Sequence, residues 1–251
     1  MQKFTGAVIA SAVASFIAMV PAQAAELVVY GTVAAQGALA QIVPAFEQAT
    51  GNQVTLRVAT TGALHDAIAR GATVDVAILT RAALDDLSAK GKLDGRTLVM
   101  VAKSGIGVAV KKGAALPAIG TGDDFRRSML AARSIAYTPQ GATGVQLQKI
   151  FARLEITDAM QAKTVLIQKG TAPEAVGRGE ADVALTQVSE ILMAPASQLV
   201  GPLPAEIQAY SIFGAALGSD GRHPDAARAF VAALTSPSAK IILAASGLEP
   251  D

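Results

Sequence analysis

Short apolar runs alternate with segments of helical spacing along the first part of the chain. The runs at residues 27–30 and 75–79 are apolar on both faces, and residues 53–58 alternate between apolar and polar, so all three predict strands. Helical spacing follows each run and each time closes on a glycine, the residue that best caps a helix end. This β-α-β-α-β-α order predicts a parallel sheet with helices on its faces.

A second series of the same kind follows a longer β stretch. The β stretch is predicted at residues 97–110. An interruption within it, at residues 103–105, is interpreted as the place where the chain crosses from the first series to the second. Residues 200–206 carry two prolines and predict a linker that returns to the first series. The remaining strands are predicted at residues 134–138, 163–167, 181–186 and 207–217, and the remaining helices at residues 143–154, 172–179, 224–234 and 237–246.

The two series predict an α/β protein of two lobes, each a mainly parallel sheet flanked by helices. Lobe 1 would comprise residues 25–102 and 206–251, lobe 2 would comprise residues 103–205, and a ligand cleft would lie between them. This organisation is typical of a bilobed periplasmic binding protein. A secreted hydrolase is the alternative that the pattern leaves open.

The first 24 residues have the features of a secretory signal peptide. Lys3 supplies the positive end, residues 7–20 are apolar, Pro21 breaks the run, and residues 22–24 fit the small-x-small cleavage rule. The alternative is a transmembrane anchor, for which the apolar run is shorter than the roughly 20 residues that a span needs. We therefore predict a signal peptide at residues 1–24 and a periplasmic protein.

Composition then excludes several classes of function. The chain of 251 residues has no cysteine, so it forms no disulfide and has no lipid attachment point of the lipoprotein kind. Its 21 basic and 20 acidic residues argue against a nucleic-acid surface, and two histidines without cysteine argue against a zinc site. No G-x-S-x-G elbow and no phosphate-binding P-loop occur. We expect a monomer that uses no metal and no cofactor.

Four predicted strand-to-helix junctions are short and rich in small polar residues: residues 31–36, 60–63, 140–144 and 186–189. Ligands of open parallel sheets bind at such junctions, where free helix N–H groups attract anions. A threonine at one junction alone is adequately explained as a helix N-cap. Four junctions together predict a shared anion site, whose candidate residues are Thr32, Ala34, Thr60, Thr61, Gly62, Ala142, Thr143, Gly144 and Gln187.

A few side chains elsewhere add candidate chemistry. Arg81 directly follows the strand at residues 75–79 and could clamp a carboxylate with two hydrogen bonds, or it could lie on a solvated helix. Lys103 and Ser104, at the proposed crossover, have similar status. His65 lies one turn into its helix, where it is either partly exposed or part of the site.

Four segments resemble the molybdate-type periplasmic solute-binding proteins of ABC transporters: "VVYGTVAAQGALAQIVPAFEQATGNQV", "TTGALHDAIARGATVDVAIL", "AYTPQGATGVQLQKIF" and "GEADVALTQVSEI". The resemblance implies a two-lobed type II binding-protein fold with an anion in the cleft and an ABC permease as partner. Molybdate binders usually have a serine where this chain has Ala34, and a tyrosine where it has Gln187. Loss of two hydroxyl donors disfavours molybdate or tungstate and favours a carboxylate.

The segments "KSGIGVAVKKGA" and "VGPLPAEIQ" resemble a neighbouring branch of this family, which the secreted aconitate isomerases also resemble. That resemblance implies an allylic proton transfer between trans- and cis-aconitate. Arg81 and Lys103 would hold carboxylates, and His65, Ser104, Tyr137 or the hydroxyl of Thr61 would move the proton. The sequence thus predicts a binder of a small organic polyanion, with an aconitate isomerase and a molybdate-like oxyanion binder as alternatives.

Overall fold

The computed structural model describes residues 24–139, 141–167 and 169–251. The predicted signal peptide falls, except for its last residue, outside the described part of the chain. The described residues form ten strands: β1 (Glu26–Thr32), β2 (Gln53–Ala59), β3 (Val76–Thr80), β4 (Leu93–Lys111), β5 (Ile135–Ala136), β6 (Thr164–Val165), β7 (Val183–Gln187), β8 (Ser197–Pro202), β9 (Tyr210–Gly218) and β10 (Glu249–Pro250).

Helices alternate with the strands along most of the chain. They are α1 (Gln36–Thr50), α2 (Thr61–Ala69), α3 (Arg81–Ala89), α4 (Gly122–Ala131), α5 (Ala142–Arg153), α6 (Thr157–Lys163), α7 (Ala172–Arg178), α8 (Val188–Leu192), α9 (Pro224–Leu234) and α10 (Pro237–Ala245). A 3₁₀ turn at Val33–Ala35 joins β1 to α1. Gly51 closes α1 in the left-handed conformation, with φ of 76°, as predicted from its place after the apolar pattern.

Two sheets share strand β4. The first has the order β2-β1-β3-β9-β4, in which β1, β2 and β3 are parallel, and β10 also pairs with β4. The second has the order β4-β7-β5-β6, in which β5 is parallel to β6 and β7, and β8 also pairs with β4. The parallel strands and their helices agree with the predicted α/β class.

Both faces of each sheet are covered by helices. On the first sheet, Val29 and Ile78 face a core with α1, α9 and α10, and the alternate residues Tyr30 and Leu79 face a core with α2 and α3. On the second sheet, larger side chains pack against α4, α5 and α6, and a row of small residues packs against α7 and α8. Burial on both faces explains why these strands read as continuous apolar runs.

Strand β4 differs from the prediction. The interruption expected at residues 103–105 is wrong, because β4 continues through them as one strand of 19 residues. Its pairing changes there instead: residues up to Gly105 pair with β9, and residues from Ile106 onward pair with β7. The predicted linker at residues 200–206 is also partly wrong, since its first residues belong to β8.

No single helix in the described part of the chain is long and apolar enough to cross a membrane, although α9 and α10 together have the length and composition for it, across the 60° bend between them. No group of three or more His, Cys, Asp or Glu side chains in the described part of the chain is arranged to hold a metal ion.

Candidate functional site

A cavity of about 380 Å³ lies where strands of both sheets end and helices begin. From the first sheet it is lined by the residues that follow β1 and β2, and from the second by residues around β7 and the start of α5. Its volume is in the range of small-molecule sites. The cavity therefore occupies the place that the junction pattern predicts for a ligand.

Hydroxyl groups form the wall on the side of the first sheet. Thr61 donates its hydroxyl hydrogen to the Thr32 hydroxyl at 3.1 Å, and Thr60 caps α2 by accepting from the amide of Ala63 at 3.3 Å. The first amides of a helix have no acceptor within the helix, so those of Thr61 and Gly62 are available to a ligand. This wall presents hydrogen-bond donors and the positive end of a nine-residue helix.

Gln187 organises the opposite wall. Its side chain is buried, and its amide nitrogen donates to the hydroxyls of Thr143 at 2.8 Å and Ser211 at 3.0 Å. A hydroxyl that accepts such a bond still has its own hydrogen to donate. Both residues line the cavity, so Gln187 leaves two hydroxyl donors available to a ligand. Its own carbonyl oxygen has no partner among the described residues.

The number of hydroxyl donors at the cavity differs from the expectation based on Gln187. From the sequence, Gln187 was expected to mean the loss of a hydroxyl, because a tyrosine is usual at this place in molybdate binders. In the structure the glutamine bonds to Ser211 of β9, a residue that the sequence pattern did not indicate. In a strand, alternate residues share a face, so the segment "YSIFG" predicts that Ser211 and Phe213 lie on the same face of the sheet. The pattern does not show that this face borders the cavity.

Glu190 is the one ionisable side chain among the described residues that line the cavity. It lies in the first turn of α8, and its carboxylate accepts a hydrogen bond from the Thr186 hydroxyl at 2.7 Å. Protein atoms enclose most of the carboxyl group, and Glu190 lines the cavity. Burial raises the pKa of Glu190 from its ordinary value of 4.5, and the bond from Thr186 opposes this only in part.

This raised pKa predicts a measurable effect of Glu190→Gln on stability. Between the unfolded pKa and the higher folded pKa, the folded protein binds more protons than the unfolded chain, so the wild type loses stability as pH rises through that window. Glutamine does not ionise. The melting temperature of the variant minus that of wild type is therefore expected to grow from about pH 4 upward and to level off above the folded pKa. A difference that stays constant with pH would contradict the assignment.

Three predicted candidates lie outside the cavity lining, in pairs of their own. Arg81 bonds to Asp85, one turn along α3, at 2.7 Å, and both side chains are about half exposed. Lys103 pairs with Glu249 at 3.1 Å, an interaction that raises the pKa of Lys103. His65 pairs with Asp66 on its own helix and with Asp86 of α3 at 2.6 Å. The structure therefore places Arg81 and Lys103 in surface ion pairs and His65 against two carboxylates.

Three other candidates are used in packing. Ser104 is buried and donates to the carbonyl oxygen of Gly247, and Tyr137 packs edge-to-face against Phe151 at 5.8 Å. Gly144 lies under the loop before α5, where an added Cβ would come within 2.1 Å of the Thr138 carbonyl oxygen. Ala34 lines the cavity, as do the threonines and Gln187.

The chain is similar to bacterial solute-binding proteins and to proteins related to them in sequence or structure. The family model described as bacterial extracellular solute-binding protein matches residues 27–249. An aconitate isomerase from Pseudomonas sp. is 33% identical over 247 residues, which is 94% of each chain. A molybdate-binding protein of Mycobacterium tuberculosis is 26% identical over 237 residues, covering 90% of this chain and 86% of the relative. The solved periplasmic molybdate-binding protein of Azotobacter vinelandii superposes with a TM-score of 0.75 at 21% identity, covering 88% of this chain and 98% of that one.

Proposed function

The chain belongs to the bacterial extracellular solute-binding proteins, and from that premise we propose that its cavity binds a small organic polyanion with carboxylate groups. The two-lobed type II periplasmic-binding-protein fold predicted from the sequence is confirmed by its structural neighbours. We further propose that the bound anion is aconitate and that the protein interconverts its trans and cis forms. The isomerase from Pseudomonas sp. supports this activity through its identity along nearly the whole chain.

The mixed lining of the cavity is the observation that carries the carboxylate proposal. Hydroxyls and helix N-termini line part of the cavity, and apolar side chains line another part of it: Val33, Ala34, Ala59 and Phe213. A tetrahedral inorganic oxyanion presents oxygen in every direction and needs donors all around it. A carbon skeleton that bears carboxylates matches a lining in which hydrogen-bond donors are combined with apolar side chains.

The electrostatics of the site also suit a carboxylate ligand. No lysine, arginine or histidine is among the described residues that line the cavity. The N-termini of α2 and α5 and the hydroxyls of Thr32, Thr143 and Ser211 would supply the positive potential instead. Such N–H and O–H donors bind an anion through directional hydrogen bonds as well as through electrostatic attraction.

The test is to incubate the purified protein with trans-aconitate and to follow cis-aconitate by chromatography. We expect turnover together with a rise in melting temperature on ligand addition, because a ligand that binds only the folded state stabilises it. Stabilisation without turnover would contradict the isomerase activity and retain the binding function. Stabilisation by molybdate at micromolar concentration, with no effect of aconitate, would contradict the carboxylate assignment.

Delivery of the anion to an ABC permease is the second candidate, because the matching family model describes extracellular solute-binding proteins. Closure of the two lobes on the ligand would present the complex to the permease. We place the protein in the periplasm as a monomer after removal of residues 1–24. Here a tight complex with no turnover is the expected result, so the same incubation separates the two candidates.

A further inference from the structure

The anion-binding function leaves one feature of the cavity unexplained. A site that holds an anion through hydroxyls and amides gains nothing from a carboxyl group in its wall, since a carboxylate there repels the ligand. Glu190 nevertheless lines the cavity, and the Thr186 hydroxyl holds its side chain in place at 2.7 Å. No cation reaches the carboxyl group to neutralise it in the described structure, so its place is not explained by an ion pair.

We propose that Glu190 is the catalytic residue that moves the proton in the isomerisation of aconitate. This inference rests on the proposed function. It replaces His65, Ser104 and Tyr137 in that role, because none of those side chains lines the cavity, whereas Glu190 does. A proton carrier must come within hydrogen-bond reach of the carbon that it serves.

The reaction is balanced with Glu190 alone. Its carboxylate takes a proton from the methylene carbon of aconitate, and the electron pair of that C–H bond forms a new double bond to the central carbon. The pair of the old double bond moves onto the outer vinylic carbon and the carboxylate attached to it. The carboxyl of Glu190 then gives its proton to that outer carbon, which becomes the methylene group, so no oxidant, reductant or co-reactant is required.

The environment of Glu190 suits both halves of this step. Burial raises its pKa, so the carboxylate is a stronger base than a solvated glutamate. In the complex, Glu190 and the ligand carboxylate beside it share one proton, because two adjacent carboxyl groups do not readily ionise together. Glu190 is the base when that proton is on the ligand. The hydroxyls of Thr143 and Ser211 then stabilise the charge that moves onto the ligand's oxygens.

The decisive variant is Glu190→Gln, which keeps the shape of the side chain and removes its ability to accept and return a proton. Two measurements are made on the full protein: turnover of trans-aconitate, and calorimetric binding of propane-1,2,3-tricarboxylate, a saturated tricarboxylate without the double bond. We expect kcat to fall by about 100-fold or more, while the dissociation constant of the saturated probe stays within about threefold of wild type. Glu180→Gln, a surface change in an exposed ion pair with Arg178, is the matched control and should leave both values unchanged.

Each outcome bears on a different statement. A Glu190→Gln variant that turns over at the wild-type rate overturns the inference and leaves the proposed function standing. A variant that loses binding of the saturated probe while its melting curve stays cooperative also overturns it, since Glu190 would then hold the ligand. Wild-type protein that binds the probe without turnover overturns the isomerase activity and the inference with it.

A second variant keeps the proposal testable if the Glu190→Gln protein does not fold. Glu190→Asp keeps the carboxyl group but withdraws it by about one bond length, roughly 1.5 Å. We expect it to bind the probe as wild type does and to turn over at an intermediate rate, because a displaced base is slower and not absent. Full activity in Glu190→Asp would overturn the inference independently of the glutamine variant.

Discussion

Replacing Asp75 by alanine is expected to lower the free energy of unfolding by about 3 kcal/mol or more. Asp75 is buried just before β3, and its carboxylate accepts from three backbone amides: Val28 at 2.8 Å, Arg222 at 2.7 Å and His223 at 3.3 Å. Alanine would leave all three amides without an acceptor. A buried amide without a partner costs about 1 to 3 kcal/mol, which is why the expected loss is large.

Urea unfolding measures this effect. The midpoint should fall while the slope with denaturant stays constant, as expected when stability changes and the unfolded state does not. Asp85→Ala is the control, because Asp85 makes only an exposed ion pair with Arg81, worth about 0.3 to 0.5 kcal/mol. Equal midpoint shifts in the two variants would show that the three amides are not held by Asp75 in the way described.

Replacing Gly144 by alanine is expected to lower both stability and ligand affinity. A Cβ at this position would lie 2.1 Å from the carbonyl oxygen of Thr138 and 2.5 Å from that of Pro139. These are backbone atoms, so the loop before α5 has to move. Overpacking of this kind costs about 1 to 3 kcal/mol, and displacement of the loop carries Thr143 away from Gln187.

Gly62→Ala is the matched control for this prediction. Gly62 also lies in the first turn of a helix at the cavity, but an added Cβ there has no atom within 4 Å. The melting temperature of Gly62→Ala should stay at or above that of wild type, since alanine favours a helix by up to about 1 kcal/mol over glycine. Any loss of affinity in this variant reports the ligand's approach to α2. A Gly144→Ala protein as stable as Gly62→Ala would show that the loop before α5 accommodates the methyl group.

The order of strands and helices follows from the sequence because burial on both sheet faces leaves a strong pattern. Strands β1 and β3 are apolar at successive positions, which face two different cores in turn, and Gly51 marks the end of the helix between β1 and β2. The apolar pattern does not predict the length of a strand correctly where hydrogen bonding to a partner strand, and not burial, sets that length. The two-residue strands β5 and β6 are shorter than the apolar runs that predicted them, since few of those residues find a partner strand.

The sequence indicated which strand-to-helix junctions meet at the cavity, but it did not indicate where the charged side chains would lie. A strand followed by small polar residues fixes where a helix begins, so Thr32, Thr60, Thr61 and Gln187 could be assigned to one cavity. The sequence does not give the direction of a long side chain. Arg81 follows β3 as expected, but an acidic residue one turn along the helix draws its guanidinium away from the cavity.

Glu190 and Ser211 were missed for related reasons. An acidic residue is not sought in an anion site, because its charge opposes the ligand unless it carries a proton. Ser211 reaches the cavity from the strand that returns to the first sheet, and only the three-dimensional pairing of β9 with β4 brings it beside Gln187.

The continuity of β4 limits how the protein can move. Rotation about a flexible loop is the usual way to swing two lobes apart, but here the chain crosses from one sheet to the other as extended backbone that is paired on both sides of the crossing. Opening must therefore deform β4 in the Gly105 region, where its pairing changes and the side chain of Gln208 lies against the strand. Such a connection behaves as an elastic element with a preferred resting angle, so each ligand exchange works against the stiffness of a continuous strand.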